Sequence, residues 1–254
     1  MKSHTLTDLD AQLRFHDFPG LGIPLVFVHG LGCSSSCDYP RVVSDPALAR
    51  RRFILVDLLG SGFSDRPDSF LYSMEDHARS LVDLLNALDA PEAHFFGHSM
   101  GGTIAIVVAS LQPDRIRRLV LAEPNLDAGG GVFSRAIAAQ SESDYITHGH
   151  AETIRSATAN GNHIWAGSMA VSSPAAIHRE ATSLVRGGAP SWRDQLSSLR
   201  IPRTIIFGER SLPNPDATGL AKVGISIISV PNAGHSLMWE NPSGLASAID
   251  AALT

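Results

Sequence analysis

A serine lies at the centre of the pentapeptide Gly97-His98-Ser99-Met100-Gly101, between an apolar run and a segment of helical character. A sharp turn from a strand into a helix can lift such a hydroxyl above a sheet, and flanking glycines prevent clashes within the turn. The turn also aims the first amides of the helix at the same point, where they stabilise developing negative charge. The pattern predicts that Ser99 is the nucleophile of an acyl transfer, although the pentapeptide alone also fits a glycine-rich turn without chemistry.

A serine nucleophile needs a base that takes its proton, and histidine most often has this role. Among the 11 histidines, His235 alone combines a position after the last apolar run with the order serine before histidine. It closes the segment Val230-Pro231-Asn232-Ala233-Gly234-His235. His98 is adjacent to Ser99, but we expect the turn to point its side chain the other way. We therefore predict that His235 is the base.

The negative charge that forms during acyl transfer needs N–H donors. An early apolar run ends in His29-Gly30-Leu31-Gly32, and a glycine turn at the end of a neighbouring strand can bring a backbone N–H towards the reacting carbonyl. We predict that the backbone amides of Leu31 and Met100 form the oxyanion hole. The alternative is an ordinary turn between a strand and a helix, and we interpret His29 as a hydrogen-bonded structural residue.

These distant residues need a scaffold that brings the ends of separate segments together. Short apolar runs alternate with amphipathic segments, which is typical of a mostly parallel sheet covered by helices. The predicted strands are 25–29, 53–57, 94–97, 119–123, 203–208 and 225–230, with 11–18 as an antiparallel arm at the edge. Loops at the carboxyl ends of parallel strands converge on one crevice, so the predicted nucleophile and base should meet there.

Two helices are predicted between the strands, at 74–88 and 101–111, and the first begins with the capping pair Ser73 and Asp76. The stretch 124–199 has no convincing strand and contains helix-like pieces at 133–140, 151–159 and 174–184. It is too long for a bare loop. We interpret 124–199 as a helical lid inserted into a core formed by 1–123 and 200–254.

The order of these motifs resembles the α/β-hydrolase superfamily. The resemblance rests on the serine turn, the glycine turn, Asp57-Leu58-Leu59-Gly60-Ser61-Gly62-Phe63-Ser64 after a strand, and Ala233-Gly234-His235. It covers nearly the whole chain outside the lid and is strongest to small, cofactor-free members of the esterase, lactonase and haloperoxidase-like kinds. The resemblance implies an α/β fold with a mostly parallel eight-stranded sheet flanked by helices, a lid after the sixth strand, and no cofactor.

The sequence departs from the family at the third catalytic position. The usual acid follows the seventh strand in a segment resembling G-E-x-D, but Gly208-Glu209-Arg210-Ser211 has a serine there. Glu123 closes the apolar sixth strand, where haloalkane dehalogenases are similar in having their acid, and it is costly to bury there without a partner. We predict Glu123 as the acid, with Asp216, or a solvated Glu123 with a dyad or another acid, as alternatives. Because a serine occupies the turn, the dehalogenase reaction itself is not expected.

The expected reaction is hydrolysis of a carboxylic ester or lactone through an acyl-serine intermediate. The same residues would also permit cleavage of a carbon–carbon bond in a ring-fission product. A third alternative is a receptor-like member that binds a ligand with little turnover. The predicted apolar pocket walls are Trp165, Met169, Leu212 and Met238, each of which could instead pack in the core.

Composition limits the partners further. The 254 residues are 44% hydrophobic and carry a net charge of -5, which gives no basic surface for nucleic acid or for an anionic membrane. No segment resembles a secretory signal or a membrane span. Cys33 and Cys37 are interpreted as free thiols in a reducing compartment, so we expect a cytoplasmic monomer or homodimer that acts on a small molecule.

Three histidines in the predicted lid, His148, His150 and His163, could imitate a metal cluster. No carboxylate accompanies them at the spacing of metal ligands. We therefore predict no metal site.

Overall fold

Eight strands form a single sheet in the computed structural model, which describes residues 1–254. The strands are Lys2–Leu6 (β1), Ala11–Phe18 (β2), Leu21–Val28 (β3), Arg51–Asp57 (β4), Ala93–His98 (β5), Ile116–Ala122 (β6), Arg203–Gly208 (β7) and Ser226–Val230 (β8). Their order is β1-β2-β4-β3-β5-β6-β7-β8. The pairs β1–β2 and β2–β4 are antiparallel and all other neighbours are parallel. The predicted α/β class and the eight-stranded, mostly parallel sheet are confirmed.

Helices cover both faces of the sheet. The α-helices are Ser35–Asp38 (α1), Pro40–Val43 (α2), Met74–Ala87 (α3), Met100–Leu111 (α4), Val132–Ala138 (α5), Glu142–Asp144 (α6), His150–Ala159 (α7), His163–Ala170 (α8), Pro174–Arg186 (α9), Trp192–Ser198 (α10), Pro215–Lys222 (α11), Leu237–Glu240 (α12) and Pro242–Leu253 (α13). Short 3-10 turns occupy Thr7–Leu9, Pro46–Leu48 and Glu209–Ser211, and a π-helical turn occupies Tyr145–Gly149. None of the helices combines the length and the apolar character needed to cross a bilayer.

The central strands are apolar along their whole length because they are buried on both faces. In β3, Val26 and Val28 belong to a hydrophobic cluster with α3 and α4, whereas Leu25 and Phe27 belong to a second cluster with α13. Alternate side chains of a strand point to opposite faces, so an unbroken apolar run is what a doubly covered strand requires. The same alternation explains why the sequence predicted these strands well.

The helix α3 begins where its sequence indicates. The Ser73 hydroxyl accepts a hydrogen bond from the Asp76 amide at 3.1 Å and donates one to the Asp76 carboxylate at 2.5 Å. This pair satisfies an amide that the first turn of a helix leaves without a partner. The predicted capping pair is therefore present.

Strand order creates the crevice that holds the candidate site. The chain leaves β3 towards β4 on one side, and it leaves β5 towards β6 on the other side. Crevices open beyond the carboxyl ends of parallel strands where the connections diverge in this way. The glycine turn after β3 and the serine turn after β5 both lie at this point.

Between β6 and β7 the chain forms only helices and loops, α5 to α10. The helix α9 is fixed to the core by a buried hydrogen bond of 3.0 Å between Glu180 and His77 of α3, whose side chains are both fully inaccessible. The last helix, α10, places Trp192 and Leu196 in the same hydrophobic cluster as α3 and α4. The segment predicted as a lid therefore ends in a helix that packs with the core.

Candidate active site

Ser99 occupies a strained turn between β5 and α4. Its backbone has φ 51° and ψ −118°, a conformation that a residue with a side chain rarely adopts. A Cβ atom on Gly97 would collide with the carbonyl of Gly101, and a Cβ on Gly101 would collide with the carbonyl of Val28. Both glycines are therefore required for the turn, as the sequence predicted, and the strain is concentrated at the residue with the reactive hydroxyl.

Two backbone amides beside this hydroxyl have no partner within the protein. The N–H groups of Leu31 and Met100 donate no hydrogen bond, and Met100 is the first residue of α4, where intrahelical partners are lacking. The Leu31 carbonyl accepts a hydrogen bond from the Trp165 indole at 2.9 Å, which fixes the glycine turn against the helical segment. The two residues predicted for the oxyanion hole thus provide free donors.

His29 is a structural residue, as expected. The Leu58 amide donates to its Nε2 at 3.0 Å, and its Nδ1 donates to the Gly30 carbonyl at 2.9 Å. Burial lowers the pKa of His29 to about 4. The neutral ring holds the strand end in place and is not free to act as a base.

His235 and Glu123 face each other across the carboxyl ends of β6 and β8. Their closest atoms, Nδ1 and Oε2, are 3.9 Å apart, with 55% of the His235 side chain and 9% of the Glu123 side chain exposed. The Gly208 amide donates to Glu123 Oε1 at 2.9 Å. Burial alone would raise the pKa of Glu123, but the His235 imidazole, the Gly208 amide and the Ser211 hydroxyl outweigh it and lower the pKa. Glu123 is therefore an ionised carboxylate that faces the imidazole. Ser211, which occupies the usual position of the acid, helps to stabilise this charge.

The Ser99 hydroxyl does not contact the imidazole of His235 by a hydrogen bond in this structure. It points to Asn125, whose Oδ1 is 3.5 Å from Ser99 Oγ. Ser99 and His235 nevertheless line the same pocket. Hydrogen bonds of catalytic groups are often long before substrate binds. Asn125 was not predicted, because its position follows from the turn after β6 and not from any motif.

The expectation that His98 points away from the site is wrong. The His98 Nε2 donates to the backbone carbonyl of His235 at 2.8 Å, and the two rings lie 4.8 Å apart between centroids. The strand β5 ends beside the loop that follows β8, so the side chain before the serine meets that loop. This contact between distant segments could not be deduced from spacing.

The pocket above Ser99 has a volume of about 360 Å³. Its wall contains no aspartate, glutamate, lysine or arginine. The apolar part of the wall consists of Leu31, Cys33, Val132, Phe133, Trp165, Leu184 and Trp239, and the neutral polar part includes Asn125, Ser134, Asn162 and Ser236. The rings of Phe133 and Trp165 are 4.5 Å apart between centroids and form one side of the cavity.

Of the four predicted wall residues, only Trp165 lines this pocket. Met169 is fully buried among the helices and lies against Gly32, beneath the glycine turn. Met238 is buried in the cluster on the α13 face, and Leu212 packs against the cluster on the opposite face. These three predictions are wrong because an apolar residue near a site in sequence is more often drawn into the nearest core.

The alternative acid, Asp216, lies elsewhere. It forms an ion pair with Arg193 at 3.0 Å near the start of α11 and contacts neither Glu123 nor His235. Of the histidines considered for a metal, His150 forms hydrogen bonds with Tyr145 and the Met169 carbonyl, and His148 forms one with Thr147. No three potential metal-ligating side chains come together anywhere in the structure.

A buried carboxyl group lies directly behind the pocket wall. Asp38 is 2% exposed, and its Oδ1 accepts a hydrogen bond of 3.3 Å from the Trp239 indole. Burial raises the pKa of Asp38 to about 7, against the opposing effect of the Cys33 thiol and the Trp239 indole. Cys33 and Trp239 both line the pocket, and Cys33 and Cys37 are free thiols.

We expect Asp38→Asn to stabilise the protein in a manner that depends on pH. Unfolded aspartate ionises near pH 4, whereas folded Asp38 keeps its proton up to about pH 7. As pH rises through this window, the wild type loses stability that the variant retains. Chemical unfolding should show similar stability near pH 4 and an advantage of about 2–4 kcal/mol for the variant at pH 8. The exposed Asp114→Asn change is the control, and a difference independent of pH would contradict the prediction.

Part of the chain is similar in sequence to curated proteins. The 2-hydroxymuconate semialdehyde hydrolase of Pseudomonas sp. strain CF600 is 39% identical over 111 residues, which cover 43% of this chain and 39% of that protein. The proline iminopeptidase of Heyndrickxia coagulans is 36% identical over 114 residues, covering 44% of this chain and 38% of that protein. The chain thus matches about two fifths of the length of these curated relatives.

Two solved structures are similar over almost the whole chain. An esterase from Thermogutta terrifontis has a TM-score of 0.79 at 22% identity and covers 100% of this chain and 98% of its own. The enol-lactonase from Burkholderia xenovorans LB400 has a TM-score of 0.79 at 17% identity and covers 99% of both chains. At such low identities, the similarity concerns the fold. Residues 23–242 match the family model described as alpha/beta hydrolase fold, and the chain therefore belongs to the α/β-hydrolase family.

Proposed function

We propose that this hydrolase cleaves a carboxylic ester or lactone through an acyl intermediate on Ser99. The proposal is carried by one observation: the strained Ser99, the free amide of Leu31 and the imidazole of His235 share one pocket, with the free Met100 amide next to Ser99 in the chain and the Glu123 carboxylate behind His235. These are the groups that acyl transfer requires.

In the first half of the reaction, His235 Nε2 takes the proton of the Ser99 hydroxyl as Oγ attacks the carbonyl carbon. The carbonyl oxygen becomes an oxyanion and accepts hydrogen bonds from the amides of Leu31 and Met100. Glu123 stabilises the imidazolium that forms and holds its Nδ1–H. Collapse of the tetrahedral intermediate transfers the proton to the leaving alcohol oxygen and leaves the acyl group on Ser99.

In the second half, His235 takes a proton from a water molecule, and the resulting hydroxide attacks the acyl carbon. The same two amides bind the second oxyanion. The proton then returns to Ser99 Oγ, and the carboxylic acid is released. In a lactone the leaving alcohol and the acid are parts of one molecule, so the product is a hydroxy acid.

The uncharged wall of the pocket favours a neutral substrate. A second candidate activity, cleavage of a carbon–carbon bond in a ring-fission product, is suggested by the hydrolase of 2-hydroxymuconate semialdehyde among the relatives. Such a substrate carries a carboxylate, and burying it without a cationic partner is costly. Since no lysine or arginine lines the pocket, the ester and lactone assignment fits better.

A matched pair of esters tests this assignment. We expect kcat/KM for p-nitrophenyl butyrate to exceed that for the hemisuccinate ester by about 10²-fold or more, because only the latter brings a carboxylate into the pocket. Initial rates on both esters and on simple lactones should be compared with rates on a vinylogous diketo acid. Faster turnover of the diketo acid would favour the carbon–carbon hydrolase and refute the ester assignment.

A further inference from the structure

We infer that His98 is a positioning residue, which holds the backbone of His235 so that its imidazole stays beside Ser99. The inference rests on the serine hydrolase mechanism proposed above. His98 does not itself take the serine proton in this assignment. Its contribution acts through the base.

The carbonyl of His235 receives its hydrogen bond from His98. The distance from His98 Nε2 to that oxygen is 2.8 Å, and this is the one hydrogen bond that the main chain of His235 forms within the protein. The imidazole ring of His98 also lies against that of His235, with centroids 4.8 Å apart. His98 thus contacts both the backbone and the ring of the base.

His98 is suited to donate permanently. His98 is 4% exposed. Burial, and to a smaller extent the charge of nearby His235, lowers the pKa of His98 to about 3. The ring is therefore neutral, with its proton on the Nε2 atom that faces the carbonyl. The Nδ1 atom of His98 is buried without a hydrogen-bond partner, and it lies next to the position that a side chain on Gly30 would occupy.

The side chain of His235 has few other restraints, whereas its chain neighbours are anchored: the Gly234 amide donates to Glu240, and the Ser236 carbonyl accepts from the first turn of α12. The His235 side chain is 55% exposed, and its Nδ1 is 3.9 Å from Glu123, longer than a hydrogen bond. The carboxylate therefore attracts the ring without fixing it in this state. A displacement of about 1 Å in a catalytic group can cost roughly 10²-fold in rate. Without the bond from His98, we expect the His235 peptide to shift between these anchored neighbours and to move the imidazole away from Ser99.

Two amide variants separate this role from simple packing. In His98→Gln, the amide nitrogen can occupy the position of the imidazole Nε2 and donate to the same carbonyl. In His98→Asn, the amide nitrogen lies near the position of the imidazole Nδ1 and cannot reach the His235 carbonyl. Both side chains are neutral and polar. We expect kcat of the Asn variant to fall by about 10²-fold with KM within about twofold, and kcat of the Gln variant to stay within about fivefold of wild type.

The pH profile gives a second readout. Because His98 is neutral in the resting enzyme, its replacement by asparagine should lower the plateau of kcat/KM without moving the pH at which activity is lost. Equal losses in the Gln and Asn variants, or full activity in the Asn variant, would overturn the inference. Wild-type turnover and the loss of turnover in Ser99→Ala are measured alongside, so that failure of the serine mechanism itself is recognised separately.

Histidine NMR on the wild type covers the case in which the Asn variant does not fold. With ¹⁵N-labelled histidine, the resonance absent from His98→Gln should report an Nε2–H tautomer from pH 5 to 8. Its proton should exchange slowly with water. An Nδ1–H tautomer or protonation of this ring within that range would refute the assignment.

Discussion

Ser99→Ala is expected to lower kcat for ester hydrolysis by roughly 10⁴- to 10⁶-fold, as occurs when the nucleophile of a serine triad is removed. Alanine keeps the strained turn, because its Cβ occupies the same position, but it has no oxygen to form the acyl intermediate. The oxyanion amides remain and account for the residual rate above water. Initial rates with p-nitrophenyl butyrate and covalent labelling by a fluorophosphonate probe measure the effect.

The matched control is Ser110→Ala, at the far end of the same helix, where the hydroxyl bonds only to the Ile106 carbonyl. It should retain both activity and labelling. Undiminished hydrolysis by Ser99→Ala would contradict the mechanism. Negligible turnover by the wild type, together with stabilisation by bound ligand, would instead indicate the receptor-like alternative.

The sequence predicted those parts of the site that depend on local sterics and chain order. The glycines around Ser99 are needed wherever a backbone turns so sharply, and the position of His235 follows from the order of strands in a parallel sheet. Because the central strands are buried on both faces, they could be recognised in the sequence as unbroken apolar runs. The first strand, β1, was missed because a short edge strand facing solvent has no such run.

Contacts between distant segments could not be predicted. His98 meets the His235 loop only because β5 and the loop after β8 converge, and Asn125 faces Ser99 only through the turn after β6. Trp165 binds the Leu31 carbonyl because α8 packs over the glycine turn. Met169 of the same helix belongs to the same hydrophobic cluster as Trp165, but it does not line the pocket. Side-chain direction within the helical segment depends on tertiary packing, which cannot be predicted from hydrophobicity alone.

The case of Glu123 shows both what could be predicted from the sequence and what only the structure reveals. The serine at position 211 favoured an acid from another strand, and the apolar run before Glu123 indicated which one. The structure adds the contacts by which Glu123 reaches the end of β7. The ends of β6 and β7 are adjacent, and the Gly208 amide donates to the Glu123 carboxylate at 2.9 Å. Glu123 itself has a positive φ of 49°.

Glu123→Gln should therefore reduce kcat by about 10³- to 10⁴-fold, a loss in the range seen when the acid of a serine triad is neutralised. The amide keeps the shape of the side chain but cannot stabilise the imidazolium, and its N–H₂ group can select the wrong tautomer of His235. KM should change little, because Glu123 lies outside the pocket wall. Steady-state kinetics on a neutral ester measure both quantities.

Asp216→Asn is the matched control for this experiment, since it makes the same chemical change at the alternative acid. Asp216 pairs with Arg193 at 3.0 Å and is half exposed, so its neutralisation should cost at most about 1 kcal/mol of stability and leave kcat within about twofold. The reverse outcome, an active Glu123→Gln and an inactive Asp216→Asn, would require the loop before α11 to rearrange when substrate binds. Loss of activity in neither variant would mean that His235 works without a carboxylate, as in a dyad, and that the buried charge of Glu123 serves only to hold the ends of β6 and β7 together.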